Sequence, residues 1–356
     1  MNIFCIRPRG LNIGNDVIYL AMKYFLERTL GFRPNIISIA ATSRYETTVR
    51  AGLTAATIHE INQYGDGVIV GGGNLYENNE IDLDPNALKA LEVPLFLFSL
   101  SRGRIYNRQN RLVTRTDCMP DEKILALHRA ACVSSARDRA TKEYMDGIGC
   151  PDVVLCGCPT IFIDRMGVTL PPLAPSQQGL ALVSVRTPHL MNIPLEKQAR
   201  IPQDVRDIVA FLTEQGASPI LLCHDQRDIP FAASFPGVEY LYFDDVYKYL
   251  AILKEASVDV SYRLHATLPA LAFGVPSIKL SYDERALSLM ETLGYGDWQI
   301  DITRADNVRD AVAARYAQMP TLQALREQNR PLLDGYYGVI EGLFGEFVRV
   351  INTRGQ

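Results

Sequence analysis

The 356-residue chain has no surplus of basic residues, since 36 Lys and Arg stand against 40 Asp and Glu for a net charge of −4. That balance excludes a general nucleic-acid binder and leaves room only for a local basic patch. Glycine (25) and proline (20) are not enriched, which excludes fibrous repeats and extended disorder. No apolar run approaches the roughly 18 residues that a bilayer span requires. The opening Met1-Asn-Ile-Phe-Cys-Ile-Arg7 reads as a buried strand, without the long apolar stretch and small-residue cleavage site of a secretory leader. The seven cysteines are odd in number and lie mostly in apolar runs such as Val153-Val154-Leu155-Cys156. This is the pattern of reduced core residues in a cytoplasmic protein. Cys156-Gly-Cys158 lacks the two-residue spacer of a zinc or redox pair, so no metal site is expected.

What is present is an ordinary apolar fraction, 47%, in a chain long enough for about two domains, each with its own core. Apolar, β-rich runs alternate with amphipathic stretches, which predicts parallel sheets covered by helices, an α/β class. In the first half the strand candidates are Ile3–Ile6, Ile36–Ile39, Val68–Val70, Leu95–Leu100, Cys132–Ser134 and Val153–Leu155. Val17, Leu20, Ala21, Tyr24, Phe25 and Leu30 recur at helical spacing between the first two. The stretch from Leu170 to Gly179 carries three prolines and no periodicity, and reads as a linker over 171–179. The pattern then restarts with Leu180–Val185, Ile220–Cys223, Val238–Phe243, Val258–Tyr262 and Ser277–Leu280 as strands. Helices are expected near 202–215, 245–256, 265–273 and 284–293. These boundaries define two Rossmann-like domains in tandem, 1–170 and 180–320, with a cleft between them. A helical tail over 321–356 is expected to pack back across both.

In such sheets ligands bind outside the carboxyl ends of the strands, so the residues just after each strand matter most. Strand one runs into Asn12-Ile-Gly14-Asn15-Asp16 before a helix, a turn that presents free N–H groups to an anion. Its spacing is not the Gly-x-Gly-x-x-Gly dinucleotide fingerprint, and a tight turn with Asn15 or Asp16 as N-cap explains it equally. Strand three ends in Gly71-Gly72-Gly73-Asn74, where three glycines would let a ligand approach the backbone closely. After strand four come Arg102, Arg104, Arg108, Arg111 and Arg115, either a solvated loop or a contact surface for the phosphates of a large acceptor. Arg137, directly after strand five, suits a carboxylate or phosphate, or else a structural ion pair with Asp138. Arg186 follows the first strand of the second half in the same way. The strongest constellation is Tyr262-Arg263-Leu264-His265 before an apolar helix ending Gly274-Val-Pro276, followed by Tyr282-Asp-Glu-Arg285. There a guanidinium and a helix N-terminus both favour an anion. His265 reads either as a functional group or as a cap of its helix.

In this order the motifs resemble those of the polysaccharide pyruvyl transferases, whose fold is GT-B-like. The similarity covers most of residues 1–300. It rests on the Gly-Asn turn at 12–16, the triglycine turn at 71–73, the strand-end Arg137-Asp138 and the Arg263-Leu-His265 element. Two departures are visible: Arg285 stands where the family pattern has lysine, and Asn15-Asp16 departs from the commoner Gly-Asn-x-Gly-Asp spacing. The resemblance implies transfer of the pyruvyl group of phosphoenolpyruvate to two hydroxyls of a glycan sugar, forming a cyclic ketal and releasing phosphate. Phosphoenolpyruvate is then a co-substrate and no further cofactor is expected. Arg137, Arg186, Arg263 and Arg285 are the expected donor-binding residues, with the donor mainly on the second domain. His265 is the expected general acid and Asp16 the expected base. Asn15, Gly72, Gly73, Asn74 and Arg102 are expected on the acceptor side. A cytoplasmic enzyme of exopolysaccharide or cell-surface glycan synthesis follows, without a nucleic-acid partner, and a lipid-linked acceptor would be met at the inner face of the membrane. A GT-B glycosyltransferase using a nucleotide sugar shares this fold, and a non-catalytic glycan-binding scaffold is the third reading.

Overall fold

The computed structural model describes residues 1–45 and 50–354. The first half contains strands β1 (Asn2–Arg7), β2 (Asn35–Ala40), β3 (Gly67–Gly73), β4 (Leu95–Leu100), β5 (Ile105–Tyr106), β6 (Leu112–Val113), β7 (Val133–Ala136) and β8 (Val154–Leu155). Its helices are α1 (Ile13–Leu30), α2 (Ala55–Tyr64), α3 (Pro85–Leu88), α4 (Asp121–Ala130) and α5 (Arg139–Gly147). The second half contains β9 (Ala181–Val185), β10 (Pro219–Cys223), β11 (Tyr240–Tyr242), β12 (Val258–Ser261), β13 (Ser277–Ser281) and β14 (Ile300–Asp301). Its helices are α6 (Leu195–Glu214), α7 (Ile229–Ala232), α8 (Val246–Lys254), α9 (Leu264–Phe273), α10 (Glu284–Thr292), α11 (Val308–Ala317) and α12 (Met319–Arg354).

Two six-stranded parallel sheets result, ordered β2-β1-β3-β4-β7-β8 and β11-β10-β9-β12-β13-β14. Strands buried on both faces need continuous apolar sequence, and β4 (Leu-Phe-Leu-Phe-Ser-Leu) is buried at every position. This is the two-domain Rossmann-like arrangement of the GT-B type. The last helix ties the halves together. Near its start Arg326 donates to the Ala272 carbonyl (2.6 Å) and Asn329 to that of Gly294 (2.7 Å), both in the second half. Farther along, Phe344 packs its ring 5.2 Å from Phe96 and 5.0 Å from Phe98 on the first sheet. A second tie is the β5–β6 hairpin. Tyr106 donates to Asp301 (2.6 Å), Asn110 to the Thr303 carbonyl (3.0 Å), and Arg104 to Glu284 (2.8 Å).

Several local details differ from the reading of the sequence. The N-cap of α1 is Asn12, whose Oδ1 accepts from the Gly14 N–H, rather than Asn15 or Asp16. The helix therefore begins at Ile13 and takes Gly14 into its first turn. β3 extends through the triglycine segment instead of ending before it. At Gly72 (φ 60°) a Cβ would lie 2.3 Å from Ile18 Cγ2, so this glycine serves the packing of α1 on the sheet. The hairpin arginines divide: Arg102 stacks 3.8 Å over the Tyr144 ring, and Arg104 is held by Glu284.

Candidate active site

The carboxyl ends of both sheets open on one cleft of about 690 Å³. From the first half it is lined by Asn15, Gly73, Asn74, Glu77, Arg115 and Arg137, among others. From the second half come Arg186, His224, Arg263, His265, Lys279 and Arg285. Of the residues expected from the sequence, the structure brings together Arg137, Arg186, Arg263, His265, Arg285, Asn15, Gly73 and Asn74. Three do not line the cleft. Asp16 is paired with Arg7 (2.9 Å), Gly72 faces Ile18, and Arg102 lies on Tyr144.

The cations are built into the fold and left short of partners. Arg137 is 1% exposed; its Nη2 donates to Ser101 Oγ (2.6 Å) and its buried Nε bonds to nothing. Among the described residues no ion pair joins it to its neighbour Asp138, whose charge acts on it from farther off while that carboxylate caps α5 by accepting from the Thr141 N–H (3.0 Å). Arg186 is anchored to the buried Asp225 at 3.1 Å, and its Nε is also unpartnered. Burial pushes Asp225 up, but the hydrogen bonds from Arg227 and the charge of Arg186 outweigh it and hold the carboxyl well below the usual range. The Nη2 of Arg263 stands 3.9 Å from Asp228 without a hydrogen bond. Arg285 bridges the two halves, 2.6 Å from Asp283 and 3.8 Å from Glu77, with its Nε unsatisfied. Buried N–H groups without acceptors are costly, and several converging on one cleft form a site prepared for an anion.

His265 sits in the first turn of α9 with φ −87° and ψ 15°, outside the helical region. The N-cap position is Arg263, so the imidazole is not the cap. Ser261 fixes the turn by accepting from the Arg263 N–H (3.0 Å) and donating to the Arg263 carbonyl (2.9 Å). Tyr249 donates to the His265 carbonyl (2.8 Å), and the Nε2 of His224 lies 2.7 Å from the same phenol oxygen. Since Tyr249 spends its proton on that carbonyl, His224 donates to it. The His265 Nε2 lies 3.8 Å from Cys158 Sγ. Burial, followed by the charges of Arg137, Arg285 and Arg263, holds the His265 pKa well below its ordinary value. The imidazole is therefore neutral in the empty cleft, and an anionic ligand is needed to charge it.

Two polar residues of the cleft escape a strand-end reading. Glu77, four residues beyond Gly73, is buried with Oε2 unsatisfied, between Arg285 at 3.8 Å and Arg115 at 3.9 Å. Burial raises its pKa against the pull of Arg285. Lys279 lies inside β13, where Ser277-Ile-Lys279-Leu280 reads as a buried strand with one charged position. The available signal was a charged residue inside a strand too apolar to be solvated. His224 follows the same strand-end pattern as Arg186 and Arg137, directly after Ile220–Cys223.

Among the described residues no helix is long and apolar enough to cross a membrane. No curated protein is significantly similar in sequence. Solved structures share the fold at low identity. The UDP-GlcNAc 2-epimerase of Neisseria meningitidis, bound to UDP-GlcNAc, has a TM-score of 0.61 at 11% identity, over 96% of this chain and 99% of that one. The enzyme of the same name from Methanocaldococcus jannaschii has 0.56 at 11%, over 90% and 92%. The α,α-trehalose 6-phosphate synthase of Burkholderia multivorans has 0.53 at 12%, over 85% and 76%. These likenesses establish the GT-B-type fold. The sequence itself matches the polysaccharide pyruvyl transferase model over residues 12–284, a span that contains every residue placed in the cleft above except Arg285, which follows it directly. By that match this chain belongs to the polysaccharide pyruvyl transferase family.

Proposed function

We propose that the protein transfers the pyruvyl group of phosphoenolpyruvate to two hydroxyls of a glycan sugar, releasing phosphate and leaving a cyclic ketal. The observation that carries this reading is that Arg137, Arg186, Arg263 and Arg285, each with a buried N–H lacking an acceptor, line the same cleft as the neutral imidazole of His265. A small ligand bearing both a carboxylate and a phosphate answers that arrangement.

The steps follow from the positions of the groups. The donor's negative charge raises the His265 pKa, and the imidazolium delivers a proton to the methylene carbon of the donor. The adjacent carbon becomes cationic and is attacked by the first sugar hydroxyl, whose proton goes to a carboxylate. Glu77 takes this role in place of Asp16, because Glu77 lines the cleft while Asp16 is paired with Arg7 outside it. The second hydroxyl then bonds to the same carbon as the carbon–oxygen bond to phosphate breaks, and its proton leaves with the phosphate. A proton returned from Glu77 to His265 through solvent resets the site. Arg137, Arg186, Arg263 and Arg285 hold the donor's anionic groups throughout.

Thermal denaturation with phosphoenolpyruvate, UDP or no ligand separates the readings. Stabilisation by phosphoenolpyruvate, and a product heavier than a galactosyl or mannosyl acceptor by one pyruvate less one water, is the expected result. Stabilisation by UDP alone would favour glycosyl transfer instead.

A further inference from the structure

Among the described residues Lys279 is the one lysine that lines the cleft, and its surroundings are unlike those of the arginines. It is wholly buried in the middle of β13. Its Nζ donates to two main-chain carbonyls, Leu280 at 2.6 Å and Ser261 at 3.2 Å, and among the described residues it makes no ion pair. An ammonium has three donors, so one remains for the cleft. The Ser261 carbonyl belongs to the turn that presents Arg263 and His265, and Ser261 is the register partner of Lys279 across β12 and β13. The amine is thus fixed to the same piece of backbone as the proposed acid.

We propose that Lys279 is a donor-contacting residue whose amine, at the floor of the cleft, becomes the counter-ion of the bound donor. This rests on the pyruvyl-transfer reading for the identity of the donor, but not for the need of an anion. A buried ammonium without a carboxylate is costly, and the fold leaves that charge for a ligand to balance.

The groups that face the amine decide its protonation in the empty site. Asp259 on β12 attracts its charge, but that carboxylate accepts from Ser184 (2.8 Å) and Ser277 (2.7 Å). Asp283, before α10, also attracts it and is engaged by Arg285 and the Ala286 N–H. Arg263 and Arg285 repel it, the Tyr282 ring lies 5.6 Å away, and the imidazoles of His224 and His265 are neutral. Burial dominates and brings the pKa down to about 7. At pH 8 the amine is therefore mostly neutral, and an anionic donor recharges it by drawing one proton from solvent. An arginine in the same place stays charged and takes up none.

Isothermal titration at pH 8, in buffers of different ionisation enthalpy, measures that proton. The expected result is uptake of close to two protons per phosphoenolpyruvate in the wild type, one at His265 and one at Lys279. Close to one persists in His265→Asn and in Lys279→Arg, which still binds, and none remains in the double variant. Lys279→Met is expected to bind at least about tenfold more weakly. Uptake in Lys279→Arg equal to that of the wild type, or wild-type affinity in Lys279→Met, overturns the proposal. Should the Lys279 variants not fold, the His265→Asn protein decides alone: its affinity is expected to fall about tenfold per pH unit above 7, and a flat profile overturns the assignment. UDP and inorganic phosphate are titrated alongside. Binding of UDP without phosphoenolpyruvate would end the pyruvyl-transfer reading and leave Lys279 to be judged by the same uptake on UDP. If none of the three binds, both readings fall.

Discussion

Gly14 and His265 touch across the two halves of the molecule, so closely that a Cβ on Gly14 would lie 2.8 Å from the imidazole Nδ1 and 2.9 Å from the His265 Cβ. The first turn of α1 thus bears on the first turn of α9. Around this contact, the Ile13 N–H donates to the His224 carbonyl (2.9 Å). Two helix N-termini meet at the proposed acid, which places positive ends of two dipoles where an anion would bind. The need for glycine here is one of closeness, not of dihedral angle.

Gly14→Ala is accordingly expected to displace the His265 ring while leaving α1 intact, because alanine favours the helix. Turnover should fall on the order of 10²-fold, as for a reacting group moved by about 1 Å, and the melting temperature should fall as well, because the new Cβ also meets the His265 Cβ, which moves only with the backbone of α9. Steady-state kinetics and thermal denaturation of the one variant check both halves of the statement.

His265→Asn and Arg263→Ala should fail in different ways. Loss of the proposed proton donor costs on the order of 10²–10⁴ in kcat with little change in donor affinity. Loss of Arg263 weakens donor binding as well as turnover. Since Arg263 holds the N-cap position, an active His265→Asn protein would remove the acid from His265 rather than reveal a capping role.

Glu77→Gln tests the base and carries a stability signature with a definite sign. Burial raises the folded-state pKa of Glu77 above its unfolded value near 4.5. The folded state therefore holds this proton more tightly, and stability falls as pH rises from the unfolded toward the folded pKa. The glutamine variant lacks that loss. Relative to wild type it should be more stable at pH 8 than at pH 5, while its turnover drops and the acid limb of the activity profile shifts. Melting curves at the two pH values, with a pH–rate profile, check it.

Among the arginines between residues 102 and 115 only Arg115 lines the cleft, beside Glu77 and Asp117 (2.6 Å). Arg102→Ala and Arg108→Ala should leave acceptor affinity unchanged, and Arg115→Ala should lower it with a salt dependence. Arg104→Ala removes an exposed contact to Glu284 and should cost about 1 kcal/mol of stability or less. Acceptor titrations at two ionic strengths distinguish these outcomes.

How much of this was readable in advance depends on the range of the interaction. The run Leu95–Leu100 declares a doubly covered strand, and the strand-end rule singles out Arg137, Arg186, Arg263 and His265, because both signals are local in sequence. Pairings between distant segments leave no such trace. Nothing near Glu77 announces that Arg285 will stand 3.8 Å from its carboxylate, and nothing near Arg104 points to Glu284, 180 residues away. The two-residue strands of the β5–β6 hairpin are too short for any period to register. Lys279 shows the opposite case, a visible polar interruption whose meaning depends on what the tertiary fold places around it.

The central claim is protonation of the donor's methylene carbon followed by double addition of sugar hydroxyls, and running the reaction in D₂O reads it directly. The account predicts a product in which each ketal methyl carries one deuterium, formed together with one phosphate per ketal. A product that retains the carbon–carbon double bond as an enol ether, or phosphate release without a ketal, would contradict it.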